Sequence, residues 1–261
     1  MADITEIQSA LAAATAGTIV NVGGIPHAVI PDSYDLKDLE IALDNPTRHR
    51  SQIVVDDVKS FVSLANEFKG DATKVYGTVT PPKFVAIFNA PSAKAGPGWN
   101  DHRVSYVCPL SIEWKTWTGK NKQPMNQADF AQFIEDNLPD LLDGATLLEV
   151  SRTLEAKKKV NFASGIRLSD GQNEFTYEEQ IEGTAGKGKF KVPEVFELGI
   201  PVFTGGPLYK VRARLRYRIN EGKLVLWYDI ERSHKILEDA VKAVWSEIEV
   251  GTELPILHAA V

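Results

Sequence analysis

The sequence predicts an α+β fold with a mainly antiparallel sheet, flanking helices and a strand-rich C-terminal half. Three observations predict it. Up to Ala156, helix-period apolar stretches alternate with short β-branched runs. From Lys157 onward, period-two segments follow one another across Ser-Asp-Gly and Glu-Gly turn signals. A single amphipathic stretch over about 234–249 closes this half, with Ile236, Leu237, Ala240, Val241, Val244 and Trp245 on its apolar face.

The elements follow in order. Residues 3–15 read as a helix with Ile4, Ile7 and Leu11 on one face and Gly17 as a stop. TIVNV and HAVI read as strands around Gly23-Gly24, and SYDLKDLEIAL as a short helix ending near Pro46. SQIVVDDVKSFVSLANEFKG gives a strand and a helix. Asp56 or Asp57 caps that helix, Phe61, Leu64, Ala65 and Phe68 point inward, and Gly70 ends it. Strands TKVYGTVT and KFVAIFNA come next, then a Gly/Pro-rich loop, PSAKAGPGWND, and a returning strand, HRVSYVCPLSI. NQADFAQFIEDNL is a helix capped by Asn126, with Phe130, Phe133 and Ile134 inward, and GATLLEVSRTLEA is another. KKKVNFASGIRL and NEFTYEEQIEG form a hairpin about Ser169-Asp170-Gly171, GTAGKGKFKVP reads as flexible or a further turn, and VFELGIPVF is a strand. The final helix should stop near Glu249 because Gly251 follows. The whole chain, 1–261, reads as one domain with a weak boundary near Asp143-Gly144.

Composition narrows the function. The 261 residues are 43% hydrophobic and 25% charged, and the net charge is −6. A protein whose main task is gripping phosphates is usually basic, so the balance weighs against that class without excluding a local basic patch. Cys108 is the sole cysteine, which rules out an intrachain disulfide and fits a reducing cytosol. The N-terminal stretch lacks a basic leader, and no run approaches the roughly 20 apolar residues of a membrane span. The expectation is a soluble cytoplasmic protein.

VRARLRYRINEG places Arg212, Arg214, Arg216 and Arg218 on alternate positions, facing one side of a strand. A hairpin about Glu221-Gly222 sets Arg212 opposite Glu231, Arg214 opposite Asp229 and Arg216 opposite Trp227. The other face then pairs Ala213 with Ile230, Leu215 with Tyr228 and Tyr217 with Leu226. Both faces are chemically coherent, so the stripe reads as a paired sheet surface rather than a rail for a phosphate backbone. Glu174, Glu178 and Glu182 on the preceding hairpin offer further counter-charge.

Other motifs carry less. GTAGKGKF nearly matches a phosphate-binding loop, but Phe190 stands where Ser or Thr would hold magnesium, and Pro193 follows an extended segment where a helix should start. His27, His49, His102, His234 and His258 show no metal-ligand spacing. Cys108 in an apolar strand reads as a buried thiol. GPGWNDHRVSY and EWKTW gather Trp99, Asp101, His102, Arg103, Tyr106, Trp114 and Trp117. Three readings stand for them: core or interface anchors, base stacking, or acid–base work by His102 beside Asp101. Adjacent strand residues point to opposite faces, which argues against a direct Asp101–His102 pair.

NPTRHR, VDDVKSFVSLANEF, GWNDHRVSY, EWKTW, QADFAQFIEDN, VNFASGIRLSDGQNEFTYEEQIEG and PLYKVRARLRYR, in order along the chain, resemble the uncharacterised phage and prophage family typified by YfdQ of enteric prophages. The resemblance implies a phage-genome accessory role in a host bacterial cytoplasm and supplies no activity, cofactor or catalytic residue. The preferred expectation is a non-enzymatic homo-oligomer, with a phage or host protein as a further partner. Its contacts would come from Ile4, Ile7 and Leu11 and from Leu254, Ile256 and Leu257 in the apolar tail. The alternative is a single-strand nucleic-acid binder or recombination accessory using Trp99, Arg103, Trp114, Trp117, Lys157, Lys158, Lys159 and Arg218. No catalytic residue, metal ligand or cofactor is assigned.

Overall fold

The computed structural model describes Gln8 and residues 18–22, 25–29, 43–156, 160–181 and 184–261. The chain divides into two compact units, Met1–His49 and Arg50–Val261. In the first, β1 (Thr18–Val22) and β2 (Ile25–Val29) form the expected antiparallel hairpin. The helices expected over 3–15 and in SYDLKDLEIAL fall almost wholly outside the described residues, and with them Ile4, Ile7 and Leu11.

The second unit opens with β3 (Ser51–Val55), α1 (Val58–Phe68), β4 (Lys74–Val79), β5 (Pro82–Ile87) and β6 (His102–Val107). Asp57, not Asp56, caps α1: its carboxylate accepts from the Ser60 backbone N–H at 2.8 Å. Strands β4, β5 and β6 are antiparallel, while β3 joins β6 in parallel. A last strand, β14 (Ile256–His258), joins β4 in parallel and completes a five-stranded sheet of order β14-β4-β5-β6-β3. Its inner face carries Val75, Phe84, Ala86, Val104 and Tyr106, which share one buried core with Phe61 and Ala65 of α1.

Between β6 and the final helix the chain builds the rest of the unit: α2 (Ile112–Lys120), β7 (Met125–Asn126), α3 (Gln127–Asp136), α4 (Gly144–Ala156), β8 (Asn161–Arg167), β9 (Gln172–Ile181), β10 (Thr184–Pro193), β11 (Val195–Pro201), β12 (Leu208–Asn220) and β13 (Lys223–Ile230). Two further antiparallel sheets result, β11-β12-β13-β7 and β10-β9-β8. The architecture is α+β with mostly antiparallel sheets and a strand-rich C-terminal half.

The β12–β13 register matches the expected one at every pair, from Ala213↔Ile230 to Tyr217↔Leu226. Glu221 and Gly222 make the two-residue turn with φ of +50° and +75°, a left-handed pair that Gly222 adopts without steric cost. Arg212 lies within 3.8 Å of Glu231 as expected, but the other ion pairs differ. Arg214 bonds Glu194 at 2.6 Å and Glu231 at 3.1 Å, and Arg216, expected over Trp227, bonds Asp229 at 3.1 Å. The long side chains reach diagonal neighbours across the twisted ladder. Further counter-charge for the stripe comes from β11 and its approach, through Glu194 and Glu197. Glu174 is taken up by Lys189 within its own sheet.

Two other expectations are corrected, and one unassigned segment gains a helix. GTAGKGKFKVP forms strand β10, paired along its length with β9, because Gly188 lies beneath the Tyr177 ring, where a Cβ would come within 2.3 Å of the phenol. EWKTW, which carried no helix assignment, lies in α2, capped by the Ser111 hydroxyl at 2.9 Å from the Trp114 N–H. The final helix, α5 (Ser233–Thr252), passes through Gly251. That glycine permits close approach to α1: a Cβ there would meet Val62 Cγ1 at 2.8 Å.

The stripe yields a stability contrast. Glu194→Ala removes the carboxylate shared by Arg167 and Arg214 and should destabilise the fold clearly more than Arg212→Ala, which breaks an exposed pair and should cost less than about 1 kcal/mol. Chemical denaturation of the two variants checks this; equal losses would refute the distinction.

Candidate functional site

The residues proposed for base stacking do not converge. Trp117 is fully buried and Trp114 is 4% exposed, so neither ring offers a face to a base. Both are corrected to core anchors. The Trp117 indole donates to Asp140 Oδ2 at 2.7 Å, its backbone carbonyl accepts from the Tyr228 hydroxyl at 2.7 Å, and its ring packs against Phe133, Phe196 and Tyr228. Burial raises the Asp140 carboxyl above its ordinary value against the opposing hydrogen bond from Trp117. Trp99 is 76% exposed in the loop ahead of β6. Arg103 on β6 donates from Nη2 to the Asn100 carbonyl at 2.8 Å, and its buried Nε has no hydrogen-bond partner. Arg218 is exposed on β12, in a different sheet. Lys157, Lys158 and Lys159 lie outside the described residues.

Asp101 and His102 diverge as strand geometry requires. His102 is buried between Phe68 and Phe88, with ring centroids 4.9 and 4.8 Å away. Asp101 accepts from the Asn89 amide at 2.7 Å. Among the described residues no three His, Cys, Asp or Glu come together in a metal-holding group.

The tail packs on its own subunit. Ile256 is buried on the inner face of the five-stranded sheet, and Leu254 packs against the same core. Within this chain Ile256 is thus a core residue and Leu254 is partly buried against the core. Leu257 points the other way and is 46% exposed. It ends a row that crosses the whole outer face in register: Leu257, Tyr76, Val85, Ser105, Val54. Val54, on the edge strand β3, is 69% exposed, and Val107 on the same face of β6 is half exposed. Val85, Ile87 and Ala90 form a small separate apolar cluster there with Tyr76.

A second feature was invisible in the sequence. A groove of about 380 Å³ opens between the start of α1, the end of β6, the β11–β12 connection and α5. Its apolar wall includes Val58, Phe203, Pro207 and Val244, and its polar lining includes Asp57, Lys59, Tyr106, Tyr209 and Glu247. These residues span nearly two hundred positions, so no local spacing could announce them. Hydrogen bonds from Ser60 hold the Asp57 carboxyl below its usual range. Burial raises the Tyr106 hydroxyl, which bonds Cys108, and the charges of Asp57 and Glu247 raise it further. Burial also pushes the Cys108 thiol up to about 12.

A family model described as an uncharacterized conserved protein (DUF2303) matches residues 2–259. No curated protein and no solved structure matches the chain.

Cys108 provides a check on the core beside the groove. With a thiol near 12, about one molecule in ten thousand carries the reactive thiolate at pH 8. A disulfide reagent such as DTNB should leave the native protein unlabelled for hours at pH 8 and label it at once in denaturant. Rapid native labelling would show the site to be open.

Proposed function

The chain belongs to the DUF2303 family, and from that premise we propose that it is a non-enzymatic phage or prophage accessory protein of the YfdQ type, acting as a homo-oligomer through protein surfaces in a host bacterial cytoplasm. Seven segments resembling the YfdQ-type family support the phage association. No helix among the described residues is long and apolar enough to cross a membrane.

The observation that carries the oligomer is the apolar row on the outer face of the five-stranded sheet. It ends at Val54, a large β-branched side chain that is 69% exposed on an edge strand. The centre of that face, Val85 and Ile87, is already buried within the chain, so it is the exposed Val54, Val107 and Leu257 on which association would remove area from water. The arginine stripe supports the same reading, since Arg212, Arg214 and Arg216 already have carboxylate partners. The contact set becomes Val54, Val107 and Leu257, with Ile4, Ile7 and Leu11 retained from the sequence as further candidates.

A second reading rests on a specific observation. Lys74, Lys83 and Arg103 share the outer face, and Trp99 lies in the loop leading to Arg103. A cationic face beside an exposed aromatic suits single-stranded nucleic acid.

Light scattering on the full chain at micromolar concentration should return a multiple of the 28.8 kDa mass. Val54→Lys should lower that mass without changing the melting temperature. A full-length monomer refutes the oligomer. Electrophoresis with oligo(dT) at physiological salt should show no tight complex. A salt-resistant complex weakened by Trp99→Ala would replace the first reading with the second.

A further inference from the structure

The groove between α1 and α5 has a chemistry that the oligomer does not use. Its volume of about 380 Å³ falls within the range of small-molecule sites, about 300–1,000 Å³. The walls are apolar over Val58, Phe203, Pro207, Ala240 and Val244. Ala240 and Ala243 on α5 keep the space clear, because neither side chain extends beyond Cβ. Against these walls stand two carboxylates, Asp57 and Glu247, with Lys59 as the one cation in the lining. The lining therefore carries one net negative charge.

Both carboxylates line the same groove. Both act on Tyr106, whose residue is 3% exposed and whose hydroxyl is partnered by the Cys108 thiol, a weak hydrogen-bond group. Tyr209 brings a second phenol, and Asp239 acts on it in turn. A cation seated in the groove would be attracted by the lining's net negative charge and would meet the Tyr209 phenol, and its apolar body would lie on the alanine-lined helix. An anion would meet two like charges there.

We propose that this groove is a binding site for a free small organic cation, an ammonium or guanidinium group on a short apolar body. The proposal stands independently of the oligomer.

Isothermal titration of the full chain tests it, with phenethylamine and agmatine as probes and phenethyl alcohol and 3-phenylpropionate as neutral and anionic comparators. At least one cation should bind with a dissociation constant on the order of 1 mM or tighter, and roughly tenfold more tightly than the alcohol. Glu247→Gln should weaken binding by roughly fivefold or more through loss of one charge. Ala243→Leu, which fills the groove from an exposed helix position, should abolish it. Glu149→Gln, at an exposed position of α4 outside the lining, should leave it unchanged, and the melting temperatures of all three variants should stay near that of the parent. Equal binding of amine and alcohol would overturn the proposal. So would indifference to Glu247→Gln and Ala243→Leu, or no heat from either cation at concentrations up to about 10 mM. An arginine-containing tripeptide that binds where both free cations fail would also overturn it, making the groove a peptide site instead.

Discussion

Glu194 is a carboxylate almost withdrawn from water, with 9% of its side chain exposed, and it is held by arginines from two different sheets. Arg167 reaches it from β8 and Arg214 from β12. Its backbone is used as fully: the N–H donates to the Gly171 carbonyl in the β8–β9 turn, and the carbonyl accepts from the Leu215 N–H at 2.7 Å. A buried carboxylate without partners would be strongly unfavourable. The site is therefore occupied only when the three-stranded and four-stranded sheets lie in one particular relation. The acid acts less as a source of net stability than as a specification of how two sheets meet.

The remaining charges of the four-stranded sheet extend from that point. Glu231 shares Arg214 with Glu194 and lies within 3.8 Å of Arg212, while Glu197 engages Arg212 and Lys210. Glu231 and Glu194 raise the Arg214 guanidinium above its already high ordinary value, so it remains charged at every relevant pH. The opposite face of the same strands is core, with Ala213, Leu215, Leu226 and Tyr228 buried. One alternation of residues thus supplies a charge network on one side and a packed layer on the other.

That alternation is why the β12–β13 hairpin was legible: a one-residue slip would have inverted both faces at once. Helices with a cap and an inward stripe were equally legible, as with Asn126 before α3 and Asp57 before α1. Elements whose residues serve a distant neighbour were not. In α2, Ile112 is exposed at the start and only Trp114 and Trp117 are buried, so no amphipathic stripe marks the helix. In β10, Gly188 reads as a breaker until Tyr177 is seen across from it. Gly251 reads as a helix stop until Val62 is found against it. Glu194 carried one weak signal, a lone acid between Pro193 and an apolar run, which is an unusual place for an unpaired charge. The groove carried none, because its lining is assembled from the start of α1, β6, the β11–β12 connection and α5.

The five-stranded sheet leaves the chain after β6 and takes it back only at β14, with the other two sheets and four helices threaded between. Two architectures are therefore nested, one enclosed in the sequence of the other. Four strands of this layer come from one contiguous segment, 51–107, but its β14 edge comes from the far end of the chain, so the segment alone does not complete the sheet. Its closing contacts, Val75 with Ile256 and Asn66 with Gly251, are separated by more than 180 residues. Their loop entropy is largely discharged only once the inserted sheets have condensed. Within this sheet the β14–β4 pairing alone spans the whole insertion, so the edge strand that carries Leu257 bears the largest loop-closure cost of the layer.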